Sequence, residues 1–432
     1  MPHSVGVVVP TWHYWANPIK LQPLWEFYYA TFIQDHVPDI QVDLLDMRGS
    51  ALTRETLPER DVYFYWIMKS ADAFEIYETV TALRRRFPKA KHLAGGNHVD
   101  QLTVETAKVM DAVMLGTAEG LIVKAFEDLN KGQVQNVYRP TGVFHFANYG
   151  HARRDWVPRD RAVNSDHFSQ YGGVPGTGVY FSRGCSFKCS FCVYNNPGKF
   201  EYRTPEQITS EIEYLKATLG VKGINLRDEV CIPVNRKLAR SYLEAIGKSG
   251  VIWRGQTVPF GDKEMVRLAR ESGCQELALG LESVDSNLVL EMANKPCQSI
   301  DTAKAYIEVL KSEGIRVKIC LILGLPGESR NVVENTIRFL ENVQPDYVAL
   351  SGLDPVPGSP FFNNPKKFGI KYISNDLSRH AHLVFRFGDE EDVGIPFEYE
   401  DQTPWGKSFT RDEIIANIKT VQGWLRERGM SY

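Results

Sequence analysis

The amino-acid sequence predicts an α/β protein with a doubly wound N-terminal domain, a second series of βα units and a short C-terminal extension. Three observations support this prediction. Short apolar runs alternate with helix-length segments up to about residue 130, and a second alternation of the same kind begins at residue 178. No run of about eighteen apolar residues, the length that would span a membrane, interrupts either series. Such apolar strands separated by helices are typical of parallel sheets covered on both faces.

The N-terminal domain, residues 1–132, contains five predicted strands. They are VGVVV (5–9), VDLLD (42–46), VYFYWIM (62–68), KHLAGG (91–96) and DAVMLG (111–116). A doubly wound, Rossmann-like domain binds its ligands at the carboxyl ends of its strands, so we expect a site at that edge. Residues 133–175 are rich in Gly, Pro, Asn and charged residues and are interpreted as a linker.

The second series, residues 176–365, starts with GVYFSRGC (178–185) and an amphipathic helix over 204–220. Thr204 as N-cap and Pro205 at the first helical position predict where this helix begins. Five more strands are predicted at 223–229, 251–257, 276–283, 317–328 and 346–360, with helices at 235–248, 262–272, 300–313 and 331–343. These segments make six βα units, fewer than a complete eight-stranded barrel needs.

The C-terminal extension, residues 366–432, has a predicted terminal helix over 410–429. We expect the extension to fold over an open end of the preceding domain, where substrate contacts would lie. Its aromatic residues are interpreted as packing residues, with a substrate pocket as the alternative. They are Phe385, Phe387, Phe397, Tyr399 and Trp405.

The composition excludes several classes of function. The 432 residues carry a formal net charge of -3, which gives no basic field for binding nucleic acid. The N-terminus lacks the charged-then-apolar layout of a secretory leader, so we expect a cytoplasmic protein. In that compartment a cysteine cluster indicates a metal rather than disulfides.

Three of the seven cysteines, Cys185, Cys189 and Cys192, lie within eight residues. Structural zinc takes four protein ligands in paired knuckles, and a second knuckle is missing. A nucleophilic or redox cysteine would not need two more at fixed offsets, whereas iron–sulfur clusters take several thiolates from one short loop. Three buried structural cysteines remain an alternative. The other four are interpreted as small buried hydrophobic residues; they are Cys231, Cys274, Cys297 and Cys320.

This C-x3-C-x2-C loop after a strand resembles the radical S-adenosylmethionine (SAM) superfamily. Four motifs occur in the order of that family, each at the end of a predicted strand: RGCSFKCSFC (183–192), LRDE (226–229), LGLES (279–283) and LILGLPGE (321–328). The resemblance covers about 178–360 and implies a partial (β/α)6 barrel of the TIM type. It also implies a [4Fe-4S] cluster with one open iron, which binds SAM and cleaves it to a 5′-deoxyadenosyl radical.

The resemblance assigns roles to residues by position. Cys185, Cys189 and Cys192 would ligate the cluster. Asp228 or Glu229 would receive the methionine ammonium, although the usual Gly-Gly-Glu is replaced here by Arg-Asp-Glu. The remaining expected contacts to SAM are Phe191, Arg254, Gln256, Glu282, Ser283, Leu323, Gly324 and Leu325. A solvated strand end or helix cap is the alternative role for the three acidic residues.

The segment HLAGGNHVDQLTVETAKVMDAVMLGTAEG (92–120) resembles the later part of the cobalamin-binding domain that precedes many radical SAM enzymes. The matching positions are Gly95, Gly96, Gly116 and Glu119. A side chain at the two adjacent glycines would collide with a flat macrocycle, and a tight turn is the alternative reason for them. The Asp-x-His-x-x-Gly motif that supplies an axial histidine is absent from PTWHYWANP (10–18), so His13 and His98 are interpreted as hydrogen-bonded residues rather than ligands.

These resemblances imply a cobalamin-dependent radical SAM enzyme, with methyl transfer to an unactivated carbon or phosphorus centre as the leading hypothesis. A non-methylating rearrangement, oxidation or cyclisation is the first alternative, and a non-enzymatic iron–sulfur protein is the second. The expected partners are a small-molecule, lipid or peptide substrate and an electron donor such as flavodoxin or ferredoxin.

Overall fold

The computed structural model describes residues 2–13, 15, 17–49, 52–142, 145–194, 200–259, 262–285, 288, 294–295, 299–380 and 395–431. The chain forms two compact units. The first comprises Met1–Asp166 with Asp376–Ala381, and the second comprises His167–Asn375 with His382–Tyr432. No described helix is both long and apolar enough to cross a membrane.

The first unit is a six-stranded parallel sheet with helices between the strands. Its strands are β1 (Ser4–Val9), β2 (Gln41–Asp46), β3 (Val62–Trp66), β4 (Lys91–Gly95), β5 (Ala112–Met114) and β6 (Val137–Tyr138), in the order β2-β1-β3-β4-β5-β6. Its helices are α1 (Leu24–His36), α2 (Ser70–Arg86), α3 (Asn97–Gln101), α4 (Thr103–Val109), α5 (Glu119–Asn130) and α6 (Arg159–Ala162). This is the doubly wound topology that the five apolar runs predicted.

The predicted linker differs from the structure. β6, which lies within 133–175, pairs in parallel with β5 and extends the first sheet. Most of the segment therefore belongs to the first unit, because its apolar side chains are buried there, as at Tyr138 and Phe146. Its last residues belong to the second unit, where the buried Phe168 contacts the start of the second sheet at Gly223.

The second unit contains a six-stranded, all-parallel sheet in the order β7-β10-β11-β12-β13-β14, with two unpaired edges. The strands of the unit are β7 (Gly176–Val179), β8 (Ser182–Arg183), β9 (Glu201–Tyr202), β10 (Gly223–Leu226), β11 (Ile252–Thr257), β12 (Cys274–Glu282), β13 (Arg316–Leu323), β14 (Tyr347–Gly352), β15 (Ile370–Ile373), β16 (Phe397–Tyr399), β17 (Gln402–Thr403) and β18 (Gly406–Lys407). Its helices are α7 (Pro205–Leu219), α8 (Arg236–Lys248), α9 (Lys263–Glu271), α10 (Ile300–Ser312), α11 (Val332–Val343), α12 (Pro360–Asn363) and α13 (Arg411–Glu427).

Local sequence rules explain these elements well. Helix α7 begins where predicted: the Thr204 side chain accepts from the Gln207 backbone, the Gln207 side chain accepts in return, and Gly220 ends the helix in the left-handed conformation. The six strands follow one another across the sheet as a partial barrel, so their carboxyl ends and the loops after them gather at one end, here called the barrel mouth.

The C-terminal extension and the segment before it contact different parts of the second unit. Helix α13 packs against β14 and α11, and its buried face includes Ile414, Ile418 and Val421. This helix thus covers one edge of the sheet, because its apolar stripe needs an apolar partner. The segment after β14 approaches the cysteine loop, where the Phe361 N–H donates to the Ser190 carbonyl. Phe385 and Phe387 lie outside the described residues.

Candidate active site

The cysteine loop is held at its base by a short antiparallel pair, β8 with β9. Arg183 and Glu201 form an ion pair of 2.7 Å across this pair, and both side chains are largely buried. Gly184 then has a φ of 84°, a left-handed conformation that lets the chain turn into the loop. The Cys192 N–H donates to the Cys189 carbonyl at 3.1 Å and closes the turn that carries the last two thiols.

The three thiols lie in surroundings that oppose ionisation. Burial raises the pKa of Cys185, raises the pKa of Cys189 to about 12, and raises the pKa of Cys192 further. A thiolate is the form that binds a metal, so a bound cation is what would ionise these groups. No three His, Cys, Asp or Glu side chains among the described residues are placed to hold a single ion. A four-iron cluster takes each thiolate on a different iron, so this donor set fits it.

Asp228 and Glu229 have different environments. Asp228 is 1% exposed, and its Oδ1 accepts from the Phe181 N–H at 3.1 Å and from the Ser182 hydroxyl. Glu229 lies beside the thiols: its charge acts on both Cys185 and Cys192, and its carboxyl is hydrogen-bonded to the Tyr194 side chain. Burial raises the pKa of Asp228 to about 7 and that of Glu229 to about 8. Asp228 is thus used to anchor the strand before the loop, whereas Glu229 is available to a ligand.

Lys295 is a site residue that the motifs missed. It is 6% exposed and forms an ion pair with Glu282, and its ammonium lies 5.9 Å from the Phe191 ring centroid. Burial alone would lower the pKa of Lys295, but the charges of Glu282 and Cys189 raise it overall. A lysine is almost never buried without such a partner. In the sequence, the only available signal for this ion pair was one Lys thirteen residues after a Glu at a strand end.

Backbone strain accompanies this ion pair. Glu282 has a φ of 68°, rare for a residue other than glycine, and the β12–β13 register shifts beside it. A Cβ at Gly280 would lie 2.5 Å from the Lys295 ammonium and 2.8 Å from Glu282 Oε1. The glycine therefore provides the space for the ion pair. Ser283, the next residue, accepts from the Asp285 N–H at 3.1 Å and supports the turn.

Arg254 and Gln256 follow each other on the inner face of the barrel but are not equivalent. Arg254 is buried, forms an ion pair with Glu276 and lies 3.3 Å from His167 Nδ1. These partners fix Arg254 below the mouth. The sequence had suggested that its side chain points into the mouth, and in the structure it does not do so freely. Gln256 is exposed and lies nearer the mouth.

The segment Leu323–Leu325 was expected to contact SAM, at its adenine. In the structure its contacts are with other parts of the chain. Both leucines are buried, and Gly324 has a φ of 92°. A Cβ on Gly324 would lie 2.9 Å from Ile414 of α13, so part of the need for glycine comes from the C-terminal helix. The Gly324 N–H donates to Glu328 Oε2 at 2.8 Å, and burial raises the pKa of Glu328 to about 8.

In the first unit, the adjacent glycines make room for the chain itself. A Cβ at Gly95 would lie 2.6 Å from the Trp66 ring, and one at Gly96 would lie 2.6 Å from the Ile67 carbonyl oxygen. Gly96 also has a φ of 108°. The tight-turn alternative thus explains both glycines from contacts within the chain, and their role beside a macrocycle stays a prediction.

The other predicted cofactor residues of this unit also have partners within the chain. Glu119 is fully buried and accepts from the Tyr28 hydroxyl at 2.9 Å. Gly116 has a φ of 69°, and its N–H donates to the Asp100 carboxylate at 2.6 Å. Helix and turn geometry account for both residues.

The histidines of the first unit confirm the expectation of hydrogen-bonded roles. Both ring nitrogens of His98 have partners, Tyr77 at 2.8 Å and Ser70 at 2.9 Å, and burial lowers its pKa to about 4. His13 is half-exposed and lies 3.8 Å from Glu75. Both ring nitrogens of His98 are thus used within the chain, whereas Glu75 is a partner for one ring nitrogen of His13.

One buried donor at the carboxyl edge of the first sheet lacks a partner. The indole N–H of Trp66, at the end of β3 beside Gly95, is buried without a hydrogen bond to the described residues. A buried indole N–H usually finds an acceptor. This edge therefore fits a cofactor held by hydrogen bonding and shape rather than by a histidine–cobalt bond.

Comparison with known families agrees with this site. The Radical SAM superfamily profile matches residues 179–340, the stretch that contains the cysteine loop, Glu229 and Lys295. The bacteriochlorophyllide d C-12(1)-methyltransferase of Chlorobaculum tepidum is 26% identical over 304 residues, which cover 68% of this chain and 63% of that protein.

A second relative, the anaerobic magnesium-protoporphyrin IX monomethyl ester cyclase of Rubrivivax gelatinosus, is 31% identical over 210 residues, or 47% of this chain and 37% of that protein. The chain thus matches less than two thirds of the length of these curated relatives.

Among solved structures, the radical SAM methyltransferase TsrM from Kitasatospora setae, solved with cobalamin and a [4Fe-4S] cluster, superposes with a TM-score of 0.68 at 16% identity, covering 85% of this chain and 79% of TsrM. At that identity the likeness shows the fold, and it confirms the predicted order of a doubly wound domain and a partial barrel. The resemblance drawn from the cysteine motif is confirmed as well: residues 179–340 of this chain match the Radical SAM superfamily profile.

Proposed function

We propose that this protein is a cobalamin-dependent radical SAM enzyme that transfers a methyl group to an unactivated carbon or phosphorus centre of a small molecule. The observation that carries the proposal is the group of three thiols, one buried and two half-buried, beside Glu229 and Lys295 at the barrel mouth. A methyltransferase relative supports the transfer reaction.

Within this proposal the chain's own residues bind and orient the SAM molecule. Cys185, Cys189 and Cys192 hold a [4Fe-4S] cluster, and Glu229 accepts the methionine ammonium. Lys295 places a positive charge beside Cys189, which balances the charge of the thiolates. Glu282 and Ser283 would contact the ribose or the methionine end of SAM, and the Leu323–Leu325 turn would pack on the adenine.

Each absent group supplies one part of the chemistry. When bound, the cluster would supply the electron that cleaves SAM to a 5′-deoxyadenosyl radical, and the corrinoid would supply the methyl group. The protein would hold the reacting atoms among the strand ends of the barrel, which limits water around them. We also propose a cytoplasmic location and a flavodoxin or ferredoxin as the electron source.

The test uses full-length protein reconstituted anaerobically with iron, sulfide and hydroxocobalamin. With SAM and a reductant, the expected products are both 5′-deoxyadenosine and S-adenosylhomocysteine. Formation of 5′-deoxyadenosine without S-adenosylhomocysteine, from protein that retains no corrinoid absorbance, would contradict the methyl-transfer part. A cluster spectrum that SAM leaves unchanged would contradict the whole proposal.

A non-methylating radical reaction is the second candidate. It is favoured by the cyclase relative and by the glycines at 95 and 96, whose neighbours are side chains and backbone of the same chain. The corrinoid content of the isolated protein discriminates between the two candidates, because only the first one requires a corrinoid.

A further inference from the structure

The inner face of strands β10 and β11 can be assigned from their register. Trp253 of β11 faces the outer helices, since its indole N–H donates to the Ser272 hydroxyl at the end of α9. Side chains alternate along a strand, so Arg254 and Gln256 face inward. Asn225 of β10 is in register with Arg254, and its inner-face neighbour toward the mouth is Arg227.

Charged side chains inside the barrel are usually paired. Arg254 pairs with Glu276, and Lys295 pairs with Glu282. Arg227 is the exception: it is exposed, and no described carboxylate lies within ion-pairing distance of its guanidinium. Its guanidinium is hydrogen-bonded to the Tyr180 hydroxyl, whose pKa burial raises to about 12, and its charge partly offsets the rise in the pKa of Glu229.

Two amides lie next to this guanidinium on the same inner face. The side chains of Gln256, which is exposed, and Asn225, which is half-buried, form no hydrogen bond within the described part of the chain. Because neither amide is fully buried, solvent can occupy their donors, and a polar ligand entering the barrel can displace that water. Arg227, Gln256 and Asn225 therefore form one polar patch with unused donors, here called the barrel floor.

We propose that the barrel floor binds an oxyanion of the substrate, a carboxylate or a phosphate, with Arg227 as the main contact and Gln256 as the second donor. A guanidinium presents two parallel N–H groups that match either oxyanion. Glu229 lies two residues after Arg227 and closer to the thiols. Its charge is opposite to that of Arg227, and it would be occupied by the ammonium of SAM. This inference rests on the proposed function only in taking the bound anion to be part of the substrate.

The test measures the accessibility of Arg227 directly. Full-length reconstituted protein with SAM is treated with phenylglyoxal, and modification of each arginine is followed by mass spectrometry with inorganic phosphate or sodium acetate at constant ionic strength. At an anion concentration of about four times its Kd, roughly one fifth of Arg227 stays free, so its modification slows about fivefold. Arg267, exposed on α9 and without a described partner, is the internal control.

Slower modification of Arg227 but not of Arg267 supports the proposal, and the anion that acts at the lower concentration identifies the class of head group. In Gln256→Leu protein the protecting concentration is expected to rise about 10- to 100-fold, the value of one hydrogen bond to a charged group. Equal slowing at both arginines, or unchanged protection in Gln256→Leu, would overturn the barrel floor. Modification of Arg227 can still be measured in protein that assembles no cluster. Failure of the proposed function is therefore distinguishable from failure of the barrel floor to bind an anion.

Discussion

The carboxyl edge of the first sheet and the mouth of the barrel both lie at the ends of parallel strands where ligands are expected to bind. They differ in how far contacts within the chain account for their motif residues. At the first edge, Gly95 and Gly96 are accounted for by close contacts within the chain, and Glu119 accepts from Tyr28 through one carboxylate oxygen. At the barrel mouth, the three thiols and Glu229 are kept in electrostatically costly surroundings. A motif residue whose contacts the chain itself supplies gives little evidence for a ligand. A motif residue whose charge or hydrogen-bonding groups the chain leaves uncompensated indicates one.

The largest expected effect tests the barrel mouth. Replacing any one of Cys185, Cys189 or Cys192 with Ala should lower 5′-deoxyadenosine formation by about 10³-fold or more, because the cluster loses a ligand. The matched control is Cys274→Ala, a fully buried cysteine in the core. Iron content and product yield are measured for each variant. Full iron retention in the three loop variants would place the cluster elsewhere.

The second prediction tests whether the glycines of the first edge are structural. Gly96→Ala combines a φ of 108° with a Cβ 2.6 Å from the Ile67 carbonyl oxygen, so it should cost about 2–4 kcal/mol of unfolding free energy. Gly116→Ala has a φ of 69° but only Pro140 nearby, at 3.9 Å, and should cost about 1–2 kcal/mol. Denaturant unfolding of the corrinoid-free protein measures both. If Gly96→Ala were as stable as wild type and merely lost corrinoid, the macrocycle explanation would return.

The third prediction separates two adjacent carboxylates of the barrel. Glu229→Gln should weaken SAM binding about 10- to 100-fold at normal stability, since a charge-assisted hydrogen bond contributes about 1.5–3 kcal/mol. Asp228→Ala should instead lower stability, because the Phe181 N–H and the Ser182 hydroxyl lose their acceptor. Equilibrium binding of SAM and thermal unfolding are compared for the two variants. The reverse pattern would exchange the two roles.

The smallest effect concerns a barrel carboxyl that is held by the backbone. The pKa of Glu328 is about 8 in the folded chain against 4.5 when unperturbed, so the folded state keeps a proton that the unfolded state releases. Its contribution to stability is complete below pH 4.5 and declines as the pH rises until about pH 8. Glu328→Gln should remove this decline and stabilise the protein by about 1–2 kcal/mol at alkaline pH relative to wild type. If the unfolding free energies of wild type and Glu328→Gln changed in parallel between acid and alkaline pH, the buried proton would be contradicted.

Much of the fold was predictable because its signals are local. The apolar runs gave five strands of the first sheet and the six strands of the partial barrel, and Thr204 with Pro205 gave the start of α7. The linker was misjudged because a two-residue strand such as β6 has no periodicity to detect. Helix α13 was predicted as an element, but not its place against β14.

Sequence alone determined the cysteine spacing, the strand-end acids and therefore the chemistry expected of the barrel, because these depend on residue types at short separations. Tertiary structure decided which of those residues have partners. Lys295 meets Glu282, Arg254 meets Glu276, and Trp66 fills the space beside Gly95, while Arg227 and Gln256 keep unused donors. Such pairings depend on register and burial across distant strands, and no local pattern carries that information.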